Sequence, residues 1–267
     1  MNITFLGTGT SHGVPSIDCM MSGFERCPRG VCRRSATDPK HARTRCSILV
    51  EHSGKRVLID VSADFRQQVL RERIASIDAV LITHKHADHI SGVPDIRSYT
   101  KDPANPLPFY GSPESMSALR EMYDYIFNPA TIVGGGIPRI GLTGITDPFD
   151  LFGMRIVPVK VTHGGAKGCY GFRLGPLAYV PDMKAIAEDQ KQLLKGLDCL
   201  ILNCLRIERE HSTHLVLPQS MALARELAPR RCFFVHMSHD IDYEADSRLL
   251  DPWMQFAYDG MKIDVAD

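Results

Sequence analysis

Short apolar runs rich in β-branched residues recur along the chain, and most break off at a glycine, an aspartate or a histidine. That is the pattern of buried strands ending in functional loops. Asn2 to Leu6 alternates weakly and predicts a strand leading into G-T-G-T-S-H-G, while Cys46 to Glu51 and Arg56 to Val61, separated by H-S-G-K, predict a hairpin. Ala63 to Arg73 places Phe65, Val69 and Leu70 on one side of a helix, and Ile77 to Thr83 is a further strand. Leu107 to Tyr110, Met154 to Val161, Leu177 to Val180, Asp198 to Asn203 and Arg231 to Val235 also read as strands. Helices are predicted over Pro113 to Phe127, with Met116, Leu119, Met122 and Ile126 as a core stripe, and over Lys184 to Leu194 and Leu217 to Ala228. Residues 128–150 are rich in glycine and proline, with G-G-G at 134–136, and predict a long surface loop that lines or covers a cleft.

Composition changes this picture little. The 267 residues are 44% apolar and 23% charged, ordinary for a globular protein, and one domain over 1–267 is expected. Lys+Arg and Asp+Glu are equal at 31 each with no polybasic tract, which argues against wrapping a nucleic-acid backbone. No charged and then apolar leader opens the chain and no apolar run is long enough to cross a bilayer, so a cytoplasmic location is the default. In that setting eight cysteines suggest reduced thiols and metal ligation rather than disulfides. Cys19, Cys27 and Cys32 lie in an excursion at about 18–45 that has no apolar period and no core of its own to pack against. Three thiolates and an imidazole from elsewhere on a zinc ion would pin it, and three unrelated free thiols is the other reading, since the gaps exceed those of a C-x-x-C knuckle.

Chemistry concentrates at T-H-K-H-A-D-H-I-S-G, residues 83–92. Here His84, His86, Asp88 and His89 fall within six residues directly after a predicted strand. A strand end holds ligands rigidly and leaves them open to substrate, and this spacing suits two metals side by side. Asp60 closes another strand, either as a turn residue or as the acceptor of a ligating histidine's second N–H. His163, Asp182 and His236 also stand at strand ends. The glycines of residues 7–13 are read as turn formers rather than a phosphate cradle, which leaves His12 a weak candidate.

With H-x-H-x-D-H followed by these strand ends, the sequence resembles the metallo-β-lactamase superfamily of binuclear metallohydrolases. The opening L-G-T-G-T-S-H-G-V-P, the cysteine-bearing loop, L-R-x-x-x-x-H-S-T-H-L, F-V-H-M-S-H-D and A-Y-D-G-M are similar to the PhnP-type phosphodiesterases. The resemblance implies an α/β fold, an αβ/βα four-layer sandwich of two mixed β-sheets with the metals at one edge between them. It implies His84, His86 and His163 on a first metal, Asp88, His89 and His236 on a second, and Asp182 bridging them. It also implies His214 beside the substrate phosphate, and a structural Zn²⁺ on Cys19, Cys27, Cys32 and His239. Family members commonly carry C-x-C-x-x-C in this loop, and the longer gaps here depart from that pattern.

The implied activity is hydrolysis of a small cyclic or linear phosphodiester by hydroxide held between two divalent ions, Zn²⁺, Mn²⁺ or Fe²⁺. Asp88 and His214 are the expected catalytic residues, His214 either protonating the leaving oxygen or hydrogen-bonding phosphate. Competing readings are an RNA endonuclease of the tRNase Z type, a thioester or lactam hydrolase, and a non-catalytic accessory protein like the PQQ-biosynthesis relatives. The expected partner is a small phosphodiester. Nucleic acid is disfavoured because no long basic arm is present, no membrane partner is expected, and a homodimer is left open.

Overall fold

The computed structural model describes residues 1–102, 104–131 and 136–266. Two seven-stranded sheets face each other. The first contains β1 (Asn2–Gly7), β2 (Ser47–His52), β3 (Lys55–Ile59), β4 (Ala79–Ile82), β5 (Leu107–Gly111) and β6 (Ile140–Gly144) in sequence order. The second contains β7 (Phe149–Leu151), β8 (Met154–Lys160), β9 (Tyr170–Leu174), β10 (Leu177–Val180), β11 (Cys199–Asn203), β12 (Arg231–Val235) and β13 (Met254–Phe256). β14 (Lys262–Asp264) returns to pair with β1 at the edge of the first sheet. Both sheets are mixed in the same way: β3 to β6 run parallel to one another, as do β10 to β13, and the remaining pairs are antiparallel.

Strand β4 shows why the parallel halves read as unbroken apolar runs. All four of its residues are buried: Ala79 and Leu81 join the core between the sheets, whereas Val80 and Ile82 lie under the outer helices. A strand covered on both faces has no polar side to alternate with. Between the sheets Ile48, Val57 and Ile59 meet Phe172, Tyr179 and Ile201. Outside the first sheet, Phe65 and Val69 of the helix Phe65–Glu72 and Leu119 of the helix Pro113–Met122 cover Leu58, Val80 and Phe109. Outside the second, Met221 and Ala224 of the helix Leu217–Leu227 cover Leu200, Leu202 and Phe234. The result is the four-layer αβ/βα sandwich.

Several local expectations fail. The stretch 128–150 is no continuous loop, since it carries β6 and β7. The sequence of β6, I-G-L-T-G, hides a parallel edge strand because a half-exposed edge needs little apolar periodicity. Residues 134 and 135 of the G-G-G run lie outside the described residues. The helix expected over 113–127 stops at Met122, which is 52% exposed and not core, and Asp124–Phe127 is a separate turn. Between them Tyr123 leaves helical geometry, and its hydroxyl donates to the Ile90 carbonyl. Within 184–194 only Glu188–Gln192 is helical, because the Lys184 and Ala185 amides pair instead with the Thr162 carbonyl. The cysteine excursion holds two short helices, Ile17–Met21 and Val31–Arg34, and contrary to expectation a small core of Val14, Val31 and Phe24 around its thiols. Among the described residues no helix is long and apolar enough to cross a membrane.

Candidate metal centre

The carboxyl ends of the parallel strands converge at one edge of the sandwich, where open α/β sheets place their ligand sites. Asp60 follows β3, His84 to His89 follow β4, Asp182 follows β10, Asn203 ends β11 and His236 follows β12. His163 arrives from β8. One donor atom each from His84, His86 and His163 lies within 4.8 Å of the others, and the same holds for Asp88, His89, Asp182 and His236.

The groups behind the histidines decide which nitrogen faces inward. Thr83 donates its hydroxyl to Asp60 Oδ2 at 2.8 Å, so its oxygen is left to accept Nδ1–H of His84 at 3.1 Å. His89 donates Nδ1–H to Asp60 Oδ2 at 2.7 Å, and His163 donates Nδ1–H to the Thr213 carbonyl at 2.9 Å. All three rings therefore present a bare Nε2 to the centre. Asp60 thus takes the second of its two sequence readings, as the acceptor that orients a histidine, and it also accepts the Thr83 amide at 2.8 Å. Nε2 of His84 and of His163 stand 2.9 and 3.2 Å from Nδ1 of His86. A single hydrogen on His86 can serve one of those lone pairs and not both, whereas a cation between them serves all three.

Asp182 lies between the two groups. Its Oδ2 is 3.4 Å from His163 Nε2 and 3.7 Å from His84 Nε2, and its Oδ1 is 3.2 Å from His236 Nε2 and 3.6 Å from His89 Nε2. Asp88 Oδ2 is 3.4 Å from His89 Nε2 and 3.6 Å from His236 Nε2. Burial pushes the carboxyls of Asp182 and Asp88 up, but positive charge on the adjacent His236 and His89 rings outweighs it and holds both well below the usual carboxylate range, and a bound cation would supply that charge in place of the ring protons. Nε2 of His89, both ring nitrogens of His236 and Oδ1 of Asp182 are buried without a hydrogen-bond partner. Native interiors rarely leave such groups orphaned, and a cluster of inward lone pairs and ionised carboxylates fits divalent ions.

The cysteine excursion brings Cys19, Cys27, Cys32 and His239 together with donor atoms inside 4.8 Å. His239 Nδ1 is 3.2 Å from Cys19 Sγ and 3.4 Å from Cys32 Sγ, and all three thiols are free and buried. Burial pushes Cys27 up, but the Cys32 and Arg29 amides turned towards it more than offset this and leave the thiol lowered. Three sulfurs and one imidazole are a tetrahedral zinc donor set. Cys19 lies in the first short helix and Cys32 in the second, and Cys27 lies between them.

Residue His239 follows His236 by three positions, and one side chain that carried no signal in the sequence secures the segment between them. Arg43 is buried, donating to the Ser238 carbonyl at 2.8 Å and the Ile241 carbonyl at 2.9 Å, with burial pushing it down to about 10. Its backbone pairs with Val14, and Gly9 packs so close that an added Cβ would stand 2.9 Å from the Arg43 carbonyl. Glycine is thus required at position 9 by close approach, and of the loop's glycines only Gly13 has a left-handed φ, of +65°. Asp259, in the A-Y-D-G-M motif, accepts the amides and hydroxyls of Thr8 and Thr44 and fixes this loop from below. Arg43→Leu is expected to lower unfolding free energy by about 2–3 kcal/mol, because two buried carbonyls lose their donor. Chemical denaturation measures it, and an unchanged midpoint would mean that relief of the buried charge cancels the loss.

The ring of His214 is stacked on His236 at 4.5 Å between centroids and lies 4.7 Å from that of His163. Burial first, then His236, pushes it down to about 2. It opens onto a cleft of about 310 Å³ lined by Thr10, Ser11, His12, Arg206 and His211. His12 therefore faces the cleft. The larger cleft of about 580 Å³, around Arg97, Lys101 and Arg139, contains none of the clustered donors.

A family model described as beta-lactamase superfamily domain matches residues 55–237. The chain is 31% identical over 265 residues to an octanoyltransferase of Porphyromonas gingivalis, matching 98% of this chain but 51% of that protein, so it spans about half of that relative's length. Among solved structures, a diphosphatase from the PhnP family superposes with a TM-score of 0.87 at 36% identity, over 99% of this chain and 98% of the other. Zn²⁺-bound PqqB from Methylobacterium extorquens superposes with a TM-score of 0.79 at 21% identity, over 99% and 100%.

Proposed function

Since the chain belongs to the metallo-β-lactamase superfamily of hydrolases and, within it, to the PhnP family, we propose that it is a binuclear metal-dependent phosphodiesterase. The observation that carries this reading is Asp182, which turns one carboxylate oxygen to each of two histidine groups. A single ion has no use for that division, and two adjacent ions do. In this reading His84, His86 and His163 hold one ion, Asp88, His89 and His236 the other, and Asp182 both. Zn²⁺, Mn²⁺ or Fe²⁺ suits the nitrogen and oxygen donors. When bound, the pair supplies an activated water and positive charge for the phosphoryl oxygens.

Residues of the chain do the remaining work. Asp60, Thr83 and the Thr213 carbonyl keep the histidine lone pairs aimed inward. His214 faces the substrate from beside His163. A cleft of about 310 Å³ is of the size that takes a small molecule, which favours a small substrate, within this reading a cyclic or linear phosphodiester or a diphosphate ester of the kind the diphosphatase neighbour's name implies. The decisive experiment assays metal-loaded protein on cyclic nucleotides, ribose cyclic phosphate, a linear diester, a nucleoside diphosphate ester, pre-tRNA and an acyl thioester. Faster turnover of pre-tRNA or thioester than of every small phosphate substrate would overturn the reading.

Cys19, Cys27, Cys32 and His239 are proposed to hold a separate structural zinc. Thiolates prefer Zn²⁺ to the harder Mn²⁺, so exchange into manganese is expected to leave one zinc per chain. Cys27→Ser is then expected to lose that zinc and lower the melting temperature while the other site still fills. Elemental analysis decides: no residual zinc, with thiols that titrate freely in the folded protein, would sink the assignment.

A further inference from the structure

We infer that Asn203 is a positioning residue that fixes His214 as its Nε2–H tautomer, so that His214 meets the substrate as a hydrogen-bond donor. The proposed phosphodiesterase reading supplies only what that donor serves; the tautomer stands apart from it.

Asn203 is fully buried at the end of β11, and its amide has one possible orientation. Oδ1 accepts the Leu215 amide at 2.8 Å, and Nδ2 donates to the Pro181 carbonyl at 2.8 Å. A flipped amide would oppose donor to donor and acceptor to acceptor at two buried contacts. The second Nδ2 hydrogen is then directed at His214 Nδ1, 3.3 Å away. An amide NH₂ accepts nothing, so Nδ1 of His214 must offer its lone pair and the ring hydrogen must be on Nε2. The anchor is itself braced, since Ser220 donates its hydroxyl to the Asn203 carbonyl at 2.6 Å.

This wiring is opposite to that of the neighbouring rings. His84, His89 and His163 are each backed by an oxygen acceptor at Nδ1 and turn a bare Nε2 inward, as ligands must. His214 is backed by a donor and turns Nε2–H inward, although a nitrogen of its ring lies within 4.8 Å of donor atoms of His163 and Asp182. It is therefore built to pair with an oxygen rather than to ligate. On a phosphodiester that oxygen is one of the phosphoryl oxygens on which negative charge grows. Hydroxide from one water forms the new bond to phosphorus, the breaking P–O bond leaves its electron pair on the departing oxygen, and that oxygen takes a proton from water, so one water is added in total.

Two measurements test this. Long-range ¹H–¹⁵N spectra of the zinc-loaded protein, with His214 assigned by its loss in His214→Gln, are expected to show Nδ1 bare and Nε2 protonated. Asn203→Asp is expected to reverse the pattern, because a carboxylate there accepts from Nδ1–H. Kinetically, His214→Gln keeps an N–H near the Nε2 position and is expected within about tenfold of the parent kcat, against a loss of about 100-fold or more in His214→Ala with KM little changed. Nδ1–H in the parent, an unreversed tautomer in folded Asn203→Asp, or a glutamine variant as slow as the alanine one overturns the inference. Should Asn203→Asp fail to fold, the parent spectrum and the glutamine variant still decide. A parent inactive on all phosphodiesters would overturn the functional reading and leave the tautomer to the spectrum.

Discussion

Replacing Asp182 with alanine is expected to empty both halves of the centre at once and to lower turnover by at least about three orders of magnitude. The carboxylate is 4% exposed and stands between Nε2 of four imidazoles, His84 and His163 on one side and His89 and His236 on the other. Its removal takes away the negative charge shared by the two ligand groups and leaves inward lone pairs facing a void. Elemental analysis alongside kinetics reads the outcome. Counted apart from the zinc on the cysteine set, two metals retained with normal turnover would remove Asp182 from the centre, and one retained would assign it to a single half.

Asp60→Asn is the second large effect, and it acts without touching a ligand atom. Asp60 is buried completely, with its carboxyl pushed up by burial although His89 and Thr83 pull the other way. Its Oδ2 accepts Nδ1–H of His89, and its Oδ1 accepts the Thr83 amide. An asparagine that keeps the Thr83 bond turns its NH₂ towards His89, which must then move its hydrogen to Nε2 and lose the inward lone pair. Metal affinity is expected to fall about 10–100-fold while the fold persists. Competition titration against a chelator measures the loss. Affinity within about twofold of the parent would mean that His89 does not ligate through Nε2.

Both residues stood at strand ends in the sequence, yet only one announced its role. The apolar runs of β3, β4, β10, β11 and β12 were legible because both faces of these strands are covered, and burial on two sides writes itself into composition. The cluster of donor side chains after β4 was legible because histidines and a carboxylate gather where a rigid strand opens into a loop. Asp60 could be read two ways, since a carboxylate that caps a turn and one that orients an imidazole look alike until its partner, 29 positions away, is placed beside it. Asn203 and Arg43 gave no signal, because what they do depends on backbone atoms of Pro181, Leu215, Ser238 and Ile241. Strand β6 was missed for a different reason: an edge strand with two glycines can pair through its backbone while its side chains stay half-exposed.

The clustered donors are divided between the sheets: His84, His86, Asp88 and His89 leave β4, while His163, Asp182 and His236 leave β8, β10 and β12. Neither the group of His84, His86 and His163 nor that of Asp88, His89, Asp182 and His236 is assembled by one sheet alone. If these donors hold the metals as proposed, a refolding chain gains that affinity only when the inner faces of the two sheets have docked, a step that joins residues far apart in sequence and is slow for that reason. Transfer of zinc from a fluorescent chelator during refolding of Cys27→Ser, in which the thiolate set is broken, would time that docking rather than strand formation. Metal supplied early would then leave the rate of docking unchanged and slow only its reversal.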